Sequence, residues 1–356
     1  DYESGYNFWG QGVNFSSLGN KKLKWQNTET ISLGLDFAAW NSRLSGYVNA
    51  YRKFTDPLVV AVALPSSTSL SRYPINAGNL TVDGVEIYAK YAPIYKLQDR
   101  IIWTIGLMGS TYKQEYNDFN SILESMNSNL RQSKSLIQYR DGGDPADIWT
   151  VPSLGIDPAT GNELFMKKDG TYSFQYDFND AVVVGNSRPK LQGVFTSNLV
   201  YKGFSANVIV RYLYNQDVFN SALYNKVENI SMQQLLNSNQ DKRALYDRWK
   251  QVGDVSSYKR INLIDLGGEY SDLDSHPEST PMSSRFVQQE NRLAIESISL
   301  GYDIRNTSWL NKIRMSNLKI TGYMNDIGYF STVKRERGID YPYTRSFSLS
   351  LTANIK

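Results

Sequence analysis

From Ser346 to Ile355 the chain alternates polar and apolar side chains without a break. Phe347, Leu349, Leu351, Ala353 and Ile355 are apolar, and Ser346, Ser348, Ser350, Thr352 and Asn354 between them are polar. A repeat of two puts successive side chains on opposite faces of a strand, here one greasy and one wet. A stretch of about ten such residues matches the ~9–11 that a tilted strand needs to cross a bilayer.

The same pattern recurs upstream. Ile31, Leu33, Leu35 and Phe37 form one apolar set, and Leu44, Val48 and Ala50 another. Val85, Ile87, Ala89 and Tyr91 follow, then Trp103, Ile105 and Leu107. Phe195, Leu199 and Tyr201 lead through Lys202-Gly203 into Phe204, Ala206, Val208, Val210 and Tyr212. Ile298, Leu300, Tyr302 and Ile304 precede a turn near Asn306 to Asn311, after which come Leu318, Ile320, Gly322 and Met324. With the C-terminal stretch this predicts nine strands.

The connections alternate in length. Short ones fall near 41–42, 95–99, 202–203 and 305–315, and long ones near 57–79, 117–187, 217–286 and 330–341. Transmembrane barrels of the outer-membrane type have short turns at one rim and long loops at the other, whereas most connections in compact soluble domains are short. The reading is all-β: a transmembrane antiparallel barrel, of which residues 1–356 supply a C-terminal portion. A single-chain bacterial barrel has an even number of strands, so nine call for further strands on the N-terminal side. The opening at Asp1, without Met and in a Gly/Asn/Ser-rich segment, reads as the interior of a longer polypeptide. Trp40, Tyr95, Trp103, Tyr201 and Trp309 lie near the short turns, where an inner aromatic girdle belongs; the alternative is that they are core aromatics.

Composition narrows the function. The 356 residues carry a formal charge of only +3, too little for nucleic acid as the main partner, because phosphate binding needs concentrated Lys and Arg. One histidine, His276, and no cysteine exclude thiol nucleophiles, zinc clusters and a triad with a spare imidazole. No cofactor is expected, and the chain reads as a non-enzyme. The densest apolar run, Leu58 to Leu64, falls well short of the roughly 18 residues of a spanning helix. The 25 Tyr, 14 Phe and 7 Trp sit in a chain of mean hydropathy −0.44, as suits a barrel with a wet lumen and aromatic girdles.

In the loops, Phe119, Ile122, Leu123 and Met126 have helical spacing, and Leu235, Leu245 and Trp249 suggest a second helix around residues 239–243. Tyr139, Arg140, Trp149, Tyr172 and Tyr176 are the candidate substrate contacts. Aromatic faces stack on rings while polar neighbours fix orientation; alternatively these residues hold the loops together. Asp141-Gly-Gly-Asp144-Pro-Ala-Asp147 lacks the spacing of an EF-hand loop and reads as a solvated acidic turn rather than a metal site. Gly155-Ile-Asp-Pro-Ala-Thr-Gly161 is turn chemistry, with no Lys-Ser/Thr to make a phosphate loop. Glu336, Arg337 and Arg345 form a charge network facing the lumen or are solvated.

Several segments together resemble SusC/RagA-type TonB-dependent transporters of Bacteroidetes, over nearly the whole chain. They are Leu23-Lys-Trp-Gln-Asn-Thr-Glu-Thr30 with Gly34-Leu-Asp-Phe37, Arg43-Leu-Ser-Gly-Tyr-Val48, and Asn76-Ala-Gly-Asn79 with Asp83-Gly-Val-Glu86. Then come Gly155 to Gly161, Tyr201-Lys-Gly-Phe204, Asp247-Arg-Trp249 with Gly253-Asp254, Ser284-Arg-Phe286, and Glu336 to Arg345. The resemblance implies a barrel of about 22 strands with a plugged lumen, so that about 13 strands, the plug and the TonB-contacting region lie outside this sequence. It also implies location in the outer membrane, in contact with lipid. Active import of glycans or oligopeptides would be energised by the TonB complex and assisted by a SusD-like surface lipoprotein. One departure is the ending Ile355-Lys356, where such barrels usually end in an aromatic. The alternatives are a passive porin-like channel and a β-rich surface adhesin.

Overall fold

The alternating segments pair edge to edge into one antiparallel sheet. The structure, a computed structural model, describes residues 2–8, 10–15, 19–64, 72–230, 236–237, 239–259, 280–305, 307–334 and 345–355. Among these, nine strands form the main sheet: β1 (Asn27–Ala39), β2 (Leu44–Asp56), β3 (Asn79–Lys96), β4 (Ile101–Asn117), β5 (Leu191–Tyr201), β6 (Phe204–Phe219), β7 (Val287–Arg305), β8 (Met315–Ser331) and β9 (Phe347–Ile355). Each pairs with its neighbours in sequence, from β1 at one margin to β9 at the other. The meander is the predicted one, strand for strand.

The two faces differ as predicted. On one, Phe37, Gly46, Ala89, Leu107, Phe195 and Val210 form a continuous row across six strands. On the other, Thr104, Asn198, Asn207, Ser299, Tyr323 and Ser348 form a polar row. The apolar face is uncovered: Phe347 is 71% exposed and Leu351 65%. Ser197 is a polar residue in this apolar set, and its hydroxyl accepts a 3.0 Å hydrogen bond from the Trp103 indole N–H. The apolar band ends toward the long loops at Arg52, whose guanidinium donates at 2.6 and 2.9 Å to both oxygens of Asp83. From Arg52 to Leu44, beside the short turn, is eight residues, about 26 Å along the strand at ~3.3 Å each. An outer-membrane lipid-facing band is about 25 Å tall. Among the described residues no helix is long and apolar enough to cross a membrane.

Three details depart from the sequence reading. Eight of the nine strands are longer than ten residues, reaching 18 in β3 and 19 in β7; they continue beyond the apolar band and carry the loops above it. A bulge between Tyr91 and Ile94 shifts the alternation, so Tyr95 pairs with Ile102 and falls on the polar face, away from the girdle set of Trp103 and Tyr201. The turn after β7 holds a short helix, Ser308–Lys312, that buries Leu310.

Most buried apolar side chains lie in the long loops, because an open sheet has no second layer to pack against. Phe119, Val151, Val227 and Phe286 are among the fully buried. The loop over 118–190 contains the helix Leu123–Gln132, as the spacing of Ile122, Leu123 and Met126 predicts. It also holds the strand pair Asp147–Thr150 and Val182–Asn186, and a small sheet of Ser153–Ile156, Glu163–Met166 and Tyr172–Ser173. Over the described residues 239–249 the second predicted helix is not formed. Lys242–Leu245 makes one 3-10 turn, Trp249 is buried in coil, and Leu235 lies outside the described residues. His276, Glu336 and Arg337 also lie outside them; Arg345 is exposed.

Candidate functional site

The long loops gather over one rim of the sheet, and the motifs that carry the family resemblance meet there. Asp157 begins a turn: its carboxylate accepts from the Thr160 hydroxyl at 2.7 Å and from the Thr160 amide at 3.1 Å. Pro158 at the next position fixes the backbone. Gly161 closes the turn at φ +72°, and an added Cβ would stand 2.5 Å from the Trp249 ring. The Trp249 indole in turn donates to the Pro158 carbonyl at 2.9 Å. The two motifs, about 90 residues apart, are therefore a socket and its plug. Asp254 shapes the other side by accepting from the amides of Lys250 and Gln251 at 3.0 Å. At a second junction, Asn76 exchanges hydrogen bonds of 2.6 and 3.0 Å with the backbone of Lys24. Asn79 donates to Asp118 at 2.6 Å.

A buried charge knot holds the loops together. Arg285 donates at 2.9 Å to Glu163 and at 2.8 and 3.2 Å to the two oxygens of Glu228. Its stem lies beside Phe286, with the guanidinium over that ring at 4.6 Å. Ser283 donates to the other Glu163 oxygen. Burial opposes the Arg285 charge, but both carboxylates outweigh it and hold the proton above the usual arginine range. Two more cations adjoin the knot. Arg248 donates to the carbonyls of Ala244 and Lys259 at 2.5 and 2.6 Å, and burial pushes both Arg248 and Lys259 below their ordinary values. The sequence reading missed this group, since nothing in local spacing ties Glu163 to Glu228 or Arg285.

The acidic turn at 141–147 is structural, where the sequence suggested a solvated one. Asp144 pairs with Arg188 at 2.8 Å, and both side chains are largely buried. Arg188 also donates to the Tyr112 carbonyl, tying the loop to β4. Asp147 accepts from Asn186 at 2.9 Å, and Asp141 from the Phe119 amide at 3.0 Å. Burial alone would raise Asp144; the Ala146 amide, Arg188 and Gln114 together outweigh it and hold the carboxyl below the usual range.

The five sequence candidates separate. Tyr139 packs against Tyr116 and Phe119, with ring centroids 5.6 Å away in each case, and its backbone is clamped by the Asn127 side chain. Arg140 stacks over Trp149 at 5.5 Å and lies 3.8 Å from Asp147. Tyr172 is exposed on a two-residue strand. Tyr176 lines a cavity of about 540 Å³ together with Glu163, Phe165, Phe174, Tyr224 and Lys259. Its hydroxyl donates to the Met282 carbonyl at 3.1 Å, and burial pushes it up to about 12. The structure brings Arg140 and Trp149 together and sets Tyr176 apart from them, in a concavity with charged and aromatic walls.

No protein-family model matches the chain. Among curated proteins it is 21% identical to TonB-dependent receptor P39 of Formosa agariphila, over 88% of this chain and 33% of that protein. It is 24% identical to TonB-dependent receptor SusC of Bacteroides thetaiotaomicron, over 81% of this chain and 27% of that one. The structure of the RagAB peptide transporter superposes with a TM-score of 0.74 at 17% identity, over 93% of this chain and 34% of that one. The RagAB peptide importer in its closed-closed state gives 0.76 at 18% identity, over 98% and 38%. The fold is that of SusC/RagA-type TonB-dependent transporters. The sheet is a part of such a barrel, and the chain spans about a third of the length of the curated relatives it matches.

Proposed function

We propose that this chain is the C-terminal barrel portion of an active outer-membrane importer of glycans or oligopeptides. The observation that carries the reading is the uncovered apolar face running across the sheet, from Leu35 to Leu351, beneath loops built up at one rim only. In water such a face is a liability; against acyl chains it is the surface a barrel requires. The loop cluster, with its aromatic and amide-lined hollow, suits capture of solutes at the outer mouth rather than passive sieving. The plug, the remaining strands and the TonB-contacting region belong to sequence N-terminal to this portion. A SusD-like lipoprotein meets the long-loop rim. In the described loops the buried carboxylates Glu163, Glu228 and Asp144 are each paired with an arginine, which suits a scaffold for binding.

Energised uptake is the decisive test. In cells carrying the full-length protein, a labelled oligosaccharide or oligopeptide should accumulate, and removal of TonB should abolish accumulation while leaving the protein in the outer-membrane fraction. Accumulation that persists without TonB makes the protein a passive channel. A protein recovered in the aqueous phase without detergent is a surface adhesin at most.

A further inference from the structure

The loop cavity beside the charge knot carries more positive charge than its own carboxylate uses. Among the described residues, the charged groups lining it are Lys134, Lys259 and Glu163. Glu163 is spoken for: one oxygen accepts from Arg285 at 2.9 Å and the other from Ser283. Glu228, the nearby second carboxylate, is held by both terminal nitrogens of Arg285 and accepts from Thr280 at 3.1 Å. Lys259 adjoins both carboxylates, which favour its charge, but they are shared with two further cations, Arg285 and Arg248. Among the described residues its ammonium makes no direct salt bridge, and burial outweighs the two carboxylates, pulling it below the ordinary lysine value. Lys134 stands at the rim with its ammonium 5.5 Å from the centre of the Tyr176 ring, a contact that leaves the charge free to meet an anion.

A buried cation whose neighbouring carboxylates are shared among other cations is costly. Here that cost is retained at the wall of a hollow of about 540 Å³, within the size range of small-molecule sites. The remaining wall sets the shape of what fits. Phe165 and Tyr176 meet edge to face at 5.3 Å and offer ring surfaces, while Asn162 and Gln175 bring amides. We propose that this cavity binds a carboxylate carried on a compact ring-bearing unit, with Lys259 as the inner counter-ion, Lys134 as the outer one and the aromatic wall against the ring. The inference deepens the importer reading by naming the chemistry of its captured solute. It needs only that the cavity be reached from the long-loop side.

The test is binding to the purified full-length protein in detergent micelles, so a failure of energised uptake in cells leaves it untouched. Two acid and neutral pairs are titrated by calorimetry: a galacturonic acid dimer with its methyl ester, and N-acetyl-phenylalanine with its amide. At least one acid should bind at concentrations up to about 10 mM, which fills a site of millimolar affinity, and its neutral partner should bind at least about tenfold more weakly. Which acid binds more tightly separates a sugar acid from a peptide carboxylate as the source. Lys259→Met keeps the volume and should weaken the acid about tenfold or more. Lys134→Met, at the exposed rim, should weaken it by a smaller factor and keeps the test decisive if the buried substitution disturbs the loops. Equal binding of an acid and its neutral partner, no binding of either acid, or an affinity indifferent to Lys134→Met in a folded protein overturns the proposal.

Discussion

Leu349 and Leu351 occupy one side of β9, and Ser348 and Ser350 the other. Their partners follow suit: Leu349 faces Gly322 and Leu351 faces Ile320, while Ser348 faces Tyr323 and Ser350 faces Thr321. A charge on the lipid side near the bilayer midplane costs roughly 2–4 kcal/mol, whereas a charge on the lumen side stays in water. Leu351→Arg should therefore lower the stability of the assembled barrel by about that amount, read as a lower urea midpoint in micelles. Ser350→Arg should leave it within about 0.5 kcal/mol. Reversed losses would mean the barrel is inside out, and equal losses that neither face meets lipid.

Asp144 makes a second prediction at this scale, one set by pH. Its folded-state pKa is held below that of the free carboxyl, so the loop gains stability from the ionised form. That contribution is complete above the unfolded value, about 3.9, and is lost as pH falls through the lower folded value. Amide protection factors in residues 141–150, taken against the intrinsic exchange rate at each pH, should stay high at pH 6 and fall below about pH 4. Asp144→Asn should exchange faster at pH 6 and lose much of that pH dependence. An acid-independent wild-type loop would show that Arg188 does not depend on the Asp144 charge.

Among the elements, the loop modules are where sequence and structure part. The nine strands were legible because each carries its own evidence: a period of two is local, and a chain needs only neighbouring residues to display it. Even there the bulge after Tyr91 was invisible, since one extra residue looks like ordinary aperiodic sequence. The loop core was legible only as fragments. The turn at Gly155 to Gly161 announces itself through Pro and Gly, but its purpose is the Trp249 ring, which lies in another loop. Arg285 reads as one basic residue in a short motif until Glu163 and Glu228 fold around it. Of the five candidate contacts only Tyr176 lines the charged cavity, because aromatic content marks loop cores and binding walls alike.

The socket gives the element-scale prediction. Gly161→Ala introduces a Cβ at positive φ, at a cost of about 1–2 kcal/mol, and also drives into the Trp249 ring. Trp249→Ala leaves the socket empty, at a cost of about 3–5 kcal/mol. Both variants should open the joint between the two loops to limited proteolysis while the nine-stranded sheet stays protease-resistant. Arg285→Met should do the same by leaving Glu163 and Glu228 buried without their cation, a loss of about 3–5 kcal/mol. If Gly161→Ala and Arg285→Met instead unfold the strands, loops and sheet form one cooperative unit and the modular reading is wrong.

For the whole molecule, the margins of the sheet decide what it can do alone. Among the described residues β1 is paired only with β2, and β9 only with β8, so each presents a line of backbone N–H and C=O groups with no partner strand there. Water can satisfy such groups; hydrocarbon cannot, and each one left bare costs several kcal/mol. Nine strands at ~4.8 Å spacing make a wall about 43 Å wide, about two fifths of a barrel of 22 strands. Closing that wall on itself would force the polar row of Asn198, Asn207 and Ser299 inward onto a lumen too narrow for the loops above. The sheet should therefore remain an arc, completed by strands from outside this sequence. Residues 1–356 expressed alone with an export signal should fail to yield a heat-modifiable, protease-resistant monomer in the outer membrane, and should accumulate as edge-paired aggregates. Joined to the missing strands, the same residues should band as a folded species on unheated gels. A stable monomeric pore from the isolated chain would show that its edges can meet each other, and with that the arc, the plugged lumen and the importer reading would all lose their footing.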